Sequence, residues 1–160
     1  MNVYRYATAY YNAVLRLAQD ENQYLAISLD PESKVALLTQ IQPLWTPKGK
    51  GDMKGNVFAD HVTIAAEPSE EDWGQFGEGE RIPIQVLGTV HDDQAQAAIV
   101  ALPEFIANMI TSQDRMPHIT ISTKAGVSPA YSNQLVSSAG QSFEPINLQL
   151  SGHVKFLKRK

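Results

Sequence analysis

The sequence predicts an α+β fold, and three observations carry that prediction. Two runs of alternating apolar residues, 57–66 and 116–123, read as strands with one buried face. A segment with apolar residues at helical spacing follows an earlier strand at 24–30. Further short alternating runs, separated by turn residues, complete a strand-turn-strand pattern.

In chain order, Tyr4, Ala7, Tyr10, Tyr11, Val14, Leu15 and Ala18 recur at spacings of three and four and predict an amphipathic helix over 4–20. Tyr24 to Asp30 reads as a strand. Asp30-Pro31-Glu32-Ser33 carries a helix start, with proline in the first turn and an acidic residue suited to the helix N-terminus. The helix is expected over 32–42, burying Val35, Leu38 and Ile41, and Pro43 ends it. Between Leu44 and Asn56 periodicity disappears among three glycines and three lysines, which predicts a mobile loop. That loop is either a lid over a phosphate or a solvated surface, and Trp45 either stacks on a base or anchors it.

Residues 67–80 read as an acidic surface loop containing Trp73 and Phe76. A strand over 82–90, a turn at His91-Asp92-Asp93 and a strand over 96–102 form a hairpin-like pair, with His91 in solvent. Phe105, Ile106, Met109 and Ile110 suggest a helix within 103–114. Ser128 to Asn133 opens a short helix whose N–H groups, or the Ser132 hydroxyl, are candidates for meeting an anion. Strands at 146–150 and 153–157 flank Gly152, and Lys155, Lys158, Arg159 and Lys160 form a basic tail, read either as a solvated, frayed terminus or as an element that steers RNA.

Composition bounds the function. At 160 residues and 43% apolar content the chain is read as a single domain over 1–160 with a real core. With no cysteine there is no disulfide and no thiolate metal site. No long apolar stretch or signal-type leader appears, so a soluble cytoplasmic protein, taken as a monomer, is the expectation. A net charge of −4 argues against coating long nucleic acid, though not against gripping one RNA end or one nucleotide.

The chemistry lies in His61-Val62-Thr63 and His118-Ile119-Thr120. On a strand the imidazole and hydroxyl of each motif share a face while Val62, Ile64, Ile119 and Ile121 point into the core. Two histidines and two hydroxyls around one volume suit phosphodiester hydrolysis: one imidazole activates water, the other protonates the leaving oxygen, and the hydroxyls hold the non-bridging oxygens. The four histidines lack the spacing of a metal site and no carboxylate cluster accompanies them, so neither metal nor other cofactor is expected. Arg115 and Lys124 flank the second motif strand as candidate phosphate partners; Lys54, Trp45, Tyr131 and Ser132 are further substrate-binding candidates.

The paired motifs resemble the 2H phosphoesterase superfamily, which is named for two His-x-Thr/Ser motifs. The stretch Pro117 to Thr123, followed by Gly126-Val127 and Tyr131-Ser132-Asn133, is most similar to the cyclic phosphodiesterase domain of fungal and plant type tRNA ligases. The resemblance spans roughly residues 24–140. It implies a bilobal architecture, with two antiparallel sheets around a central cleft and flanking helices. It also implies a 2′,3′-cyclic phosphate substrate, at an RNA end or on a nucleotide, opened to the 2′-phosphate. Tandem ligases of this type add kinase and ligase modules, and this sequence shows neither a Walker-type phosphate loop nor a nucleotidyl-transferring lysine motif. Opening of cyclic di- or oligonucleotide messengers, as in viral anti-defence proteins, opening of ADP-ribose cyclic phosphate, and non-catalytic binding of an RNA end remain alternatives.

Overall fold

The computed structural model describes residues 23–68, 77–139 and 142–159. The helix expected over 4–20, and Trp73 and Phe76, lie outside them. The elements are β1 (Gln23–Leu29), α1 (Pro31–Gln40), a 3-10 turn (Gly51–Met53), β2 (Gly55–Val57), β3 (His61–Ala65), β4 (Arg81–His91) and β5 (Ala95–Ala101). They continue with α2 (Glu104–Thr111), β6 (His118–Lys124), α3 (Tyr131–Ala139) and β7 (Glu144–Lys158).

Among the described residues, the seven strands belong to one antiparallel sheet in the order β2-β6-β3-β1-β7-β4-β5. A further pairing of β5 with β6 closes six of them into a barrel-like ring, with β2 sharing the β6 edge used by β3. The two separate sheets implied by the resemblance are therefore one hydrogen-bonded sheet. The α+β content stands: the described residues form a mixed fold of three helices and a closed sheet. Among the described residues no helix is long and apolar enough to cross a membrane.

One face of the ring carries the main core, built from Leu25, Ile27, Val62, Ile64, Ile119 and Ile121, all fully buried. Leu37 and Ile41 of the α1 segment and Ile106 and Ile110 of α2 join it. On the opposite face, Leu135 and Val136 of α3 cover Ala95, Ala97 and Ile99 of β5. The rest of that face bears both histidine motifs.

Four expectations change. In α1 the buried stripe is Ser33 and Leu37, continued by Ile41 at the C-terminal cap, while Val35 is 66% exposed. The Ser33 hydroxyl accepts the Ser151 N–H at 2.9 Å, and this polar anchor turns Val35 outward. The 57–66 run is two strands, because Ala59 adopts φ +54° and bulges between them. Loop 44–56 is tied to itself: Thr46 and Gly55 N–H groups donate to Met53 and Thr46 carbonyls, and Trp45 is 5% exposed. Finally, β7 runs unbroken through Gly152 and holds Lys155 and Lys158 in register with Ala26 and Gln23, so those lysines are strand residues and not a frayed tail. Gly152 is a close-approach glycine: a Cβ there would meet the Ser28 carbonyl oxygen at 2.5 Å.

Candidate active site

The decisive geometry is register. Val62 pairs with Ile119, so the central residues of the two motifs are directly opposite each other on antiparallel neighbours. Continuing that register sets His61 beside Thr120 and Thr63 beside His118, all on the face away from the core. Each of the four is half-buried while Val62, Ile64, Ile119 and Ile121 are fully buried, as period-two alternation demands.

His118 is oriented by its own strand entry. The Met116 carbonyl accepts from Nδ1 at 2.7 Å, which leaves the Nε2 lone pair of the neutral ring unused. Burial pushes the His118 pKa below the usual imidazole value; the Met116 bond opposes this and the Arg115 guanidinium adds to it. On His61, Nε2 lies 3.4 Å from the Tyr24 hydroxyl, with the rings tilted at 53° and their centroids 5.4 Å apart. Burial lowers its pKa too, the Asp60 carboxylate opposes, and His118 lowers it further. His61 therefore lies within electrostatic reach of His118. Asp60 is itself held by the Lys34 ammonium at 2.5 Å.

Thr120 Oγ1 donates to the fully buried Ser132 Oγ at 3.0 Å, so α3 supports the second motif through Ser132. Arg115, half-buried, donates through Nε and a terminal nitrogen to Asn133 Oδ1 at 3.3 and 3.2 Å, and burial lowers its pKa. Tyr131 is a latch: its hydroxyl donates to Asp92 Oδ2 at 2.5 Å, tying α3 to the β4–β5 turn and raising the phenol's pKa. The N–H groups of Ala130, Tyr131, Ser132 and Asn133 already donate within the turn, so none is left for an anion.

Three candidates are not brought to the motifs. Lys124 ends β6 about 17 Å along the strand from Ile119, and Lys54 precedes Gly55, which is paired with Lys124. Trp45 is an anchor, its Nε1 donating to the Asp52 carbonyl at 3.0 Å. His153 is paired with Asp30 at 2.6 Å, and His91 is exposed. Among the described residues no group of three or more histidine, aspartate or glutamate side chains could hold a metal ion.

Sequence reasoning missed Tyr24 and Ser28, and it read Lys155 as part of a basic tail without placing it beside the motifs. Ser28 lies opposite His61, and Lys155 lies opposite Ala26, which is opposite Thr63. A signal was available in β1, where Tyr24, Ala26 and Ser28 alternate with Leu25, Ile27 and Leu29, leaving a face of small and polar residues beside the motif.

A family model described as the fungal tRNA ligase phosphodiesterase domain matches residues 55–150, which include both motifs. No curated protein matches the sequence. Among solved structures, a fungal RNA kinase aligns at a TM-score of 0.49 and 12% identity, covering 88% of this chain and 45% of that one, so this chain spans less than half the length of that protein. On the match to residues 55–150, the chain belongs to the fungal tRNA ligase phosphodiesterase domain family.

Proposed function

We propose that this chain hydrolyses a 2′,3′-cyclic phosphate, at an RNA end or on a nucleotide, to the 2′-phosphate, with His61, Thr63, His118 and Thr120 as the catalytic set. The observation that carries the reading is the Val62–Ile119 pairing, which gathers two imidazoles and two hydroxyls around one position.

His118 serves as the base. Its Nδ1 proton is committed to the Met116 carbonyl, so the Nε2 lone pair takes a proton from water as the water oxygen bonds to phosphorus. The neighbouring Arg115 disfavours a resting imidazolium there, which keeps the base unprotonated. His61 serves as the acid: as the bond from phosphorus to O3′ breaks, its proton passes to O3′ and leaves a free 3′-hydroxyl. Tyr24 steadies that ring. Thr63 and Thr120 donate to the non-bridging oxygens, where negative charge grows in the transition state. Thr120 is released for this when Ser132 reverses the bond between them and donates instead. Two titrating imidazoles supply both proton transfers without calling on a metal ion.

The test is product analysis of 2′,3′-cyclic AMP and of a short RNA bearing a 2′,3′-cyclic end, with excess EDTA present. The expected product is the 2′-phosphate, and His61→Ala and His118→Ala each lower kcat by a factor of about 10² to 10⁴. Wild-type rates in both variants would overturn the assignment.

A further inference from the structure

A second polar cluster lies on the motif-bearing face, outside the catalytic set. Arg81 pairs with His153, His153 with Ser28, and Ser28 with His61, so four adjacent strands carry a single row of polar side chains. One step along, Lys155, Ala26 and Thr63 form a parallel row. Arg81 and Lys155 are exposed, and their rows both lead to the motifs.

The cluster is built, not incidental. Asp30 has both oxygens engaged: Oδ1 with His153 Nδ1 at 2.6 Å and Oδ2 accepting from Ser151 Oγ at 2.6 Å. Ser151 Oγ in turn accepts from the Arg81 guanidinium at 3.3 Å. Asp30 therefore fixes the His153 ring through Nδ1, leaving Nε2 unused, while Arg81 keeps most of its donors. Beside them an open cleft of about 410 Å³ is lined by Ser33, Arg81, Pro83, Gln149, Leu150 and Ser151.

At the usual strand spacing, His153 stands about 10 Å from His61 and Arg81 about 14 Å from it. That is a few backbone repeats of a nucleic-acid strand, whose helical rise is about 3.4 Å per nucleotide, and it is beyond the reach of one cyclic mononucleotide's phosphate. We propose that Arg81, His153 and Lys155, beside this cleft, form a phosphate subsite for the polynucleotide strand that leads to the reacting end. The proposal rests on the cyclic-phosphate reading and narrows its substrate class to RNA ends over free nucleotides. Contacts of this kind grip phosphates and carry no base preference.

The experiment compares a short RNA with a 2′,3′-cyclic end against 2′,3′-cyclic AMP, for wild type, Arg81→Ala, Arg81→Lys and Lys155→Ala. In parallel, fluorescence anisotropy measures binding of the same RNA carrying a 2′-phosphate. Loss of one charge-assisted phosphate contact in Arg81→Ala should raise KM for RNA about tenfold. Its kcat and both constants for cyclic AMP should stay at wild-type values, with Arg81→Lys falling between. The slope of log affinity against log salt should fall by about one for each cation removed. Equal changes on both substrates, or none on either, would overturn the subsite. If wild type turned over neither substrate, the cyclic-phosphate reading would fail by itself. Anisotropy would then decide the subsite: weaker RNA binding by Arg81→Ala retains it, and unchanged binding removes it.

Discussion

Gly152→Ala should destabilise the fold and blunt the site together. A Cβ at 152 would sit 2.5 Å from the Ser28 carbonyl oxygen and 2.7 Å from Ile27 Cγ2, against a practical minimum near 3.0 Å. Neither neighbour can yield cheaply. The carbonyl is backbone, in a strand pair held over seven residue positions, and Ile27 is fully buried. On its other side β7 pairs with β4 over eight positions, so the strand cannot retreat. Overpacking of this kind costs about 1–3 kcal/mol, which for a chain of this size lowers Tm by about 2–12 °C. Because Ser28 lies opposite His61, the displaced β1 backbone also shifts that imidazole, and kcat should fall with Tm. Thermal melting followed by circular dichroism, with cyclic phosphate turnover measured below the transition, reads both effects. A variant that melts with wild type would refute the close β1–β7 approach.

Three further outcomes follow from the site's surroundings. Burial depresses both histidines below their ordinary value of 6.5, so kcat/KM for a cyclic phosphate should peak on the acid side of pH 6.5 and decline towards alkaline pH as the acid loses its proton. The same shifts link to stability: the unfolded chain binds these protons first, so stability is fully present above pH 6.5 and is lost as pH falls through the depressed native values; urea midpoints that rise on acidification through this window would contradict the burial argument. Trp45→Ala should cost about 3 kcal/mol in urea unfolding by emptying a buried anchor, whereas a base-stacking tryptophan would instead weaken RNA binding at unchanged stability.

What the sequence disclosed was what depends on local period. His61 with Thr63 and His118 with Thr120 project together because a strand repeats every two residues, and the buried Val62 and Ile119 fall where that rule puts them. Long-range register has no such local signature. Nothing near residue 24 announces that Tyr24 meets His61, 37 positions away. Lys124 is close to His118 in sequence, but a strand converts six positions into about 20 Å. The reverse applies to Lys155, which is distant in sequence from Thr63 and two strands away in space. Val35 misled because α1 is seated by a serine, and apolar periodicity is blind to a polar anchor.

The site occupies the thinnest joint of the ring. β3 and β6 share one residue pair, whereas β6 is held by β5 over five positions and by β2 over three. The Ala59 bulge interrupts the edge just before His61, and the Ala59 N–H, donating to the Thr120 carbonyl at 2.8 Å, stands in for continued pairing. A fully zipped joint would hold the motifs more firmly, yet it would leave no break at which the two strands can diverge around a ligand. The relative placement of the two histidines is therefore set indirectly, through β1 on the His61 side and β5 on the His118 side. This is why a change at the β1–β7 contact reaches His61, and why the small residues Ala97 and Ala98, paired with Thr120 and Ile119, belong to the site's support as much as to the core.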